Sequence, residues 1–138
     1  MIQIYNTLEK ADWEQLQSIY QRVGWTKHTP AIIQQIFEAS HIIAIAMSGD
    51  RIVGFGRALS DGIFNGAIYD VVVDPDFQGN GIGKQIIDNL LWHLREVSCV
   101  HLIATTGNEA FYHKSGFRPM KTAMGRYRNP ALSEEYLI

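Results

Sequence analysis

Apolar and polar positions along this chain switch between alternation, helical spacing and short solid runs, and each switch predicts an element. Ile2 to Asn6 alternates and predicts a first strand. Asp12 is placed to cap a helix running to about Val23, with Trp13, Leu16, Tyr20 and Val23 at helical spacing. Gly24 ends it, and Trp25 to His28 is a polar-aromatic link. Thr29-Pro30 starts a second helix whose apolar face is Ile32, Ile33, Ile36 and Phe37. His41 to Met47 and Ile52 to Leu59 read as strands, antiparallel because the turn Ser48 to Arg51 is short. Asp61-Gly62 and Asn65-Gly66 mark the next turn, and Ala67 to Val73 follows as a β-branched central strand. From Lys84 onward, Ile86, Ile87, Leu90, Leu91, Leu94 and Val97 form one wide helical stripe. Val100 to Thr105 predicts a strand parallel to the central one, since a crossover helix lies between them. Gly107-Asn108 opens a short helix to Ser115, closed by Gly116. Phe117 to Met120 and Met124 to Tyr127 read as closing strands, and the last ten residues assign no element.

The order β-α-α-β-β-β-α-β-α-β-β predicts an α+β, three-layer fold: a mixed central sheet of about six to seven strands with helices on both faces. At 138 residues the chain reads as a single domain over 1–138 with room for a real core. Hydrophobic residues at 46% and charged ones at 19% make it globular. A net charge of −2 gives no general attraction to nucleic acid or to an anionic membrane. Cys99, the one cysteine, forbids an internal disulfide, fits a reducing compartment and is expected to be buried. No apolar run reaches the ~18 residues of a membrane span, and the first residues lack a signal-peptide pattern, so a cytoplasmic location is expected.

The stretch with most chemistry is Tyr69 to Lys84, Y-D-V-V-V-D-P-D-F-Q-G-N-G-I-G-K. Asp74-Pro75 stops the strand, three glycines alternate at 79, 81 and 83, and a helix follows directly. Such a turn brings backbone close to a ligand and aims unpaired helix-start N–H groups at it, which suits a phosphate. Spacing excludes two common phosphate motifs. A dinucleotide fingerprint G-x-G-x-x-G fails because Lys84 stands three after Gly81. A P-loop fails because Gln78 and Gln85 fill its first glycine and its Ser/Thr positions.

What remains, Q-x-x-G-x-G after a strand, resembles the acetyl-CoA pyrophosphate loop of the GNAT superfamily of N-acetyltransferases. Asn108 to Phe117, N-E-A-F-Y-H-K-S-G-F, resembles that family's second segment, shortened, some 25 residues on. The element order also resembles the GNAT fold over nearly the whole chain. The resemblance implies acetyl-CoA as cosubstrate, with Gln78, Gly79, Asn80, Gly81, Ile82, Gly83 and Lys84 at the pyrophosphate. It implies that the central strand splays from its parallel neighbour, so that the backbone of Val71, Val72 and Val73 is free for the pantetheine arm, and that an amide near Val71 polarises the acetyl carbonyl. It further implies Asn108 as a contact to the CoA arm and Tyr112 as the proton donor to the departing thiolate. A plain cap and a core aromatic are the structural alternatives for these two.

The implied reaction is direct attack of a primary amine, which must first lose a proton because an alkyl ammonium titrates near ~10.4. Tyr69 and Asp70 are the candidate groups. Tyr69 to Val73 resembles both the E-D-[V/I]-x-V of glucosamine-6-phosphate N-acetyltransferases and the [Y/W]-D-V-V-V of plastid-type and bacterial amine acetyltransferases. Strand alternation groups Tyr69 with Val71 and Val73 and turns Asp70 away, unless a bulge intervenes. Asp70 is therefore a base, a substrate anchor or a ligand of a neighbouring turn. On the acceptor side the resemblance points to Trp25, Arg57 and Asp61, and to Arg126 for an anionic acceptor. The five histidines have no acidic or cysteine partner at metal-ligand spacing, so no metal is expected. The function implied is an acetyl-CoA-dependent N-acetyltransferase for a small-molecule amine. A protein or peptide amine acetyltransferase and a non-catalytic CoA-binding module are the alternatives, and the resemblance also allows a homodimer.

Overall fold

The sheet positions everything else. In the computed structural model, which describes residues Met1 to Ile138, it has strands β1 (Ile2–Tyr5), β2 (Ile42–Ser48), β3 (Arg51–Ser60), β4 (Asn65–Val73) and β5 (Cys99–Leu102), in that spatial order. Pairing is antiparallel from β1 through β4 and parallel between β4 and β5. The β2 to β4 connections are tight turns, whereas β5 is reached through a helix, which reverses its direction relative to a hairpin.

Helices α1 (Trp13–Arg22) and α2 (Pro30–Glu38) cover one face. Their starts follow the sequence: Asp12 accepts from the N–H groups of Glu14 and Gln15, and Thr29 from that of Ile32 with Pro30 in the first turn. Leu16, Tyr20, Ile33 and Phe37 bury there against Ile45, Phe55 and Val72. Helix α3 (Ile82–His93) covers the other face, where Ile82, Ile86, Ile87 and Leu90 pack on Ala44, Ala46, Val53 and Ile68. Two short helices follow, α4 (Glu109–His113) and α5 (Pro130–Tyr136).

The sheet has five strands, not six or seven. Neither Phe117 to Met120 nor Met124 to Tyr127 forms a ladder. Pro119 removes a donor from the first segment, and Gly125 weakens the second. The strand after α3 ends at Leu102, three residues short of the expected Thr105. The unassigned C-terminus carries α5, capped by Asn129, which accepts from the N–H of Ala131. Cys99 is exposed, because it opens the edge strand β5 instead of lying in the core.

Candidate active site

Register between β3 and β4 slips midway. Arg57 pairs with Tyr69 and Phe55 with Val72, so Gly56 alone faces both Asp70 and Val71. The extra residue is a β-bulge, and Asp70 sits in it at φ 54°, the one non-glycine residue with positive φ. The bulge reverses the alternation beyond it. Val71 and Val73 pack on the α3 side and Val72 on the α1/α2 side. Tyr69 shares a face with Val72, since their partners Arg57 and Phe55 share one. Grouping Tyr69 with Val71 and Val73 by simple alternation is thus overturned.

Asp70 is held by two donors. The Tyr20 hydroxyl donates to its Oδ2 at 3.0 Å and Arg57 Nε donates to the same atom at 2.9 Å. Arg57 also donates to Ser40 Oγ at 3.4 Å and lies 5.2 Å from the Tyr69 ring centroid. Burial, then the Asp70 charge and hydrogen bond, push the Tyr20 phenol above the ordinary tyrosine value, with Arg57 pulling the other way. Tyr20 in turn stacks on His28 at 4.4 Å and lies 5.6 Å from Trp25. One buried tyrosine therefore ties the Trp25 link to the bulge.

Just before the bulge β4 loses its other neighbour. β5 pairs only with Asn65 to Ile68, so Tyr69 to Val73 have β3 on one side and no strand on the other. Two grooves flank this open edge, and both include Val71 and Tyr112.

The first groove, about 530 Å³, runs over the glycine turn. Gln78, Gly79, Gly81, Ile82, Gly83 and Lys84 line it together with Val71, Val73, Asn108 and Tyr112. Helix α3 starts on Gly81 at φ 77° with no side-chain cap, which leaves its first N–H groups without a side-chain acceptor. A Cβ at Gly83 would lie 3.0 Å from Phe111 Cζ. The missing side chain at 83 is what lets α4 dock on the start of α3 and bring Asn108 and Tyr112 over the turn. Asn108 stands at the cap position of α4 yet makes no side-chain cap bond. Burial pushes the Tyr112 phenol above the ordinary tyrosine value. Within the groove, Gln78 Nε2 donates to the Val73 carbonyl at 3.1 Å, and Lys84 Nζ pairs with Asp88 at 2.7 Å. Val72 and Asn80 do not line it: the Val72 side chain is in the core, and Asn80 Nδ2 donates to the Phe77 carbonyl at 3.0 Å.

The second groove, about 200 Å³, lies on the other side of Tyr112. Trp25, Tyr69, Asp70, Tyr127 and Tyr136 line it with the ends of β4 and β5. Of the expected acceptor residues it contains Trp25 only. Arg57 is held beneath it by Asp70. Asp61 is at the opposite end of β4, in the turn, where it accepts from the N–H groups of Ile63, Asn65 and Phe64, bonds that hold its carboxyl below the usual range. It is roughly 15 Å or more of strand from the bulge. Arg126 is exposed and lines neither groove.

Two features escaped sequence reasoning. Tyr127 and Tyr136, ring centroids 5.8 Å apart, come from the end of an expected closing strand and from the last ten residues, to which the sequence assigns no element. Asp74, read only as a strand stop, is 2% exposed. It accepts from Arg22 at 2.6 Å, Arg51 at 3.0 Å and the Asp76 N–H at 2.9 Å. Burial alone would raise its pKa; the Asp76 N–H and the two arginines overcome that and hold the carboxyl below its ordinary value. The Asp-Pro pair before the glycine turn was the available signal.

No group of three His, Cys, Asp or Glu side chains lies close enough to hold a metal ion. No helix is long and apolar enough to cross a membrane.

Comparison with known proteins agrees with this geometry. Residues 7–117 match the profile of the acetyltransferase (GNAT) family. An uncharacterized N-acetyltransferase, ycf52, of Porphyra purpurea is 39% identical over 109 residues, 75% of this chain and 63% of that protein. The chloroplastic serotonin N-acetyltransferase 2 of Oryza sativa subsp. japonica is 33% identical, over 74% of this chain and 54% of that protein. A histone acetyltransferase, TAP1, of Glycine max is 32% identical, over 83% and 55%. The chain thus spans 54 to 63% of the length of these relatives. A GNAT family acetyltransferase of known structure from Streptococcus pneumoniae superposes with a TM-score of 0.76 at 29% identity, over 94% of this chain and all (100%) of that one. The chain belongs to the GNAT family of acetyltransferases.

Proposed function

We propose that this chain, as one domain over residues 1–138, transfers the acetyl group of acetyl-CoA to the primary amine of a small molecule by direct attack in a ternary complex. The observation that carries this reading is the meeting of two grooves at Val71 and Tyr112, one floored by main chain and one walled by aromatic side chains. Acetyl-CoA fits the first groove: Gly79 and Gly81 have open space where a Cβ would stand, and α3 begins without a side-chain cap. When bound, it supplies an acetyl group activated as a thioester.

The residues divide the work by chemistry. Gln78 to Lys84 and the first turn of α3 would hold the pyrophosphate through main-chain N–H groups. The open edge at Val71 to Val73 would take the pantetheine arm as an added strand, with an N–H near Val71 polarising the carbonyl, and Asn108 would contact the arm. Gln78 must release the Val73 carbonyl for that. Tyr112 Oη would carry a proton at the junction and share it with the departing sulfur through a hydrogen bond, and burial, which raises its pKa, keeps the phenol neutral there. Asp70 Oδ2 is engaged by Arg57 and Tyr20, so we assign Asp70 a positioning role at the bulge, and the amine's departing proton would go to solvent water reaching the groove that Tyr69 lines.

A protein amine is the second reading, favoured by the soybean relative named as a histone acetyltransferase. The expected cytoplasmic location finds no support among the relatives, of which the rice enzyme is chloroplastic by name.

Thermal unfolding with acetyl-CoA, followed by thiol release across small amines and lysine peptides, tests the proposal. At 100 times its dissociation constant the cosubstrate should add about 2.7 kcal/mol. No stabilisation sinks the reading. Stabilisation without thiol release on any amine leaves the CoA-binding module in its place.

A further inference from the structure

We infer that the second groove selects a primary amine carried on a small apolar or aromatic body and discriminates against anionic acceptors. This rests on the acetyltransferase reading and goes further, to the acceptor's chemical class. Ten of the twelve residues around the groove are hydrophobic, and no lysine, arginine or histidine is among them. Asp70 is its only charged residue. An acceptor phosphate or carboxylate entering here would give up hydration without meeting a cation, which is costly in a partly dry cleft. Arg57, behind the bulge, is already engaged by Asp70, and Arg126 and Arg128, which flank Tyr127 in sequence, do not line the groove.

The walls supply what an apolar amine needs. Trp25, Tyr69 and Tyr136 are large side chains left 36%, 37% and 49% exposed around one opening. Exposed aromatics gathered in one place mark a binding surface, whereas single ones do not. Their faces offer stacking to a ring and cation–π attraction to an ammonium before it loses its proton. Tyr127 and Tyr136 reach the groove from the segment around α5, so the C-terminal residues supply a wall that β4 and β5 alone would not. The volume of about 200 Å³ is below the roughly 300–1,000 Å³ of pockets for drug-sized ligands, which suits a single ring or a short alkyl chain.

The experiment is steady-state thiol release with acetyl-CoA on a matched set: 2-phenylethylamine, hexylamine, 2-aminoethyl phosphate, glucosamine 6-phosphate and an N-acetyl-lysine-free lysine peptide. The inference expects kcat/KM for phenylethylamine and hexylamine to exceed the two phosphates by at least tenfold. It also expects Tyr136→Ala and Tyr127→Ala to raise the phenylethylamine KM about tenfold, a loss of one stacking partner, while KM for acetyl-CoA stays put. Tyr136→Phe, which keeps the ring, should restore the lower KM. Equal or better use of the phosphates or of the peptide overturns the inference while leaving the acetyltransferase reading intact. So does an unchanged amine KM in both alanine variants. No release with any acceptor overturns both.

Discussion

The two grooves that meet at Tyr112 are built in opposite ways. The one over the glycine turn is continuous in sequence, from Val71 to Lys84, with one added segment at Asn108 to Lys114. Its ligand-facing chemistry is main chain, exposed by glycines and by a helix start without a cap. The other draws Trp25, Tyr69, Thr105, Tyr112, Tyr127 and Tyr136 from six separate parts of the chain. Its chemistry is side chain. A backbone site requires only that a few positions carry no Cβ, so it tolerates little variation and prints itself as a motif. A side-chain site requires only that surfaces converge, and many residue choices achieve that.

The largest expected effect is at the shared residue. Tyr112→Phe removes the one hydroxyl at the junction and should lower kcat by about 10²-fold or more, the range of a general acid, while acetyl-CoA still stabilises the fold. A loss confined to KM for either substrate would instead assign Tyr112 to one groove only.

The next concerns the anchor of the backbone-built groove. Asp74 ends β4, caps the Pro75–Phe77 turn and draws Arg22 of α1 and Arg51 of β3 onto the start of the glycine loop. Asp74→Asn should cost about 2 kcal/mol at neutral pH, since a buried carboxylate bonded to charged donors is lost. The sign with pH is fixed by its depressed folded pKa. The stabilisation is present above the unfolded aspartate value of about 3.9 and disappears as pH falls through the lower folded value. Wild type and variant should therefore converge in melting temperature in strong acid and separate above about pH 4. A gap independent of pH would mean that packing, not charge, is what Asp74 contributes.

The smallest effect sharpens the contrast. Gly81 has φ 77° and open space where a Cβ would stand. Gly81→Ala meets no atom there, so its cost is conformational, about 1 kcal/mol of stability. KM for acetyl-CoA should rise with it and the amine KM should not, which steady-state kinetics with either substrate varied will read. Movement of the amine KM would couple the two grooves through the loop and break the distinction drawn here.

Much of the fold was legible because it follows local rules. The caps at Asp12 and Thr29, the apolar stripe of α3 and the hairpin joining β3 to β4 are written in neighbouring residues, and the structure has each of them. The closing strands were not legible, because the four-residue stretches Phe117 to Met120 and Met124 to Tyr127, apolar at each end, satisfy a short strand pattern without any partner to pair with. Nor could Asp61 and Arg126 be told from acceptor residues, since a charged side chain in a loop carries no record of which end of the sheet it reaches.

The sequence by itself determined the order of elements from β1 to α4 and the glycine turn with its partner segment, because helical period, caps and the absence of a Cβ act over a few residues. Only the tertiary structure decided which way Tyr69 and Asp70 face, since that depends on Gly56 of β3 meeting two residues of β4 at once. It also decided that β5 stops at Leu102, that Tyr20 and Arg57 converge on Asp70, and that Tyr127 and Tyr136 close the second groove. Each of these is a coincidence in space between residues distant in sequence. It is created by packing and ladder register, which no local window of the chain contains.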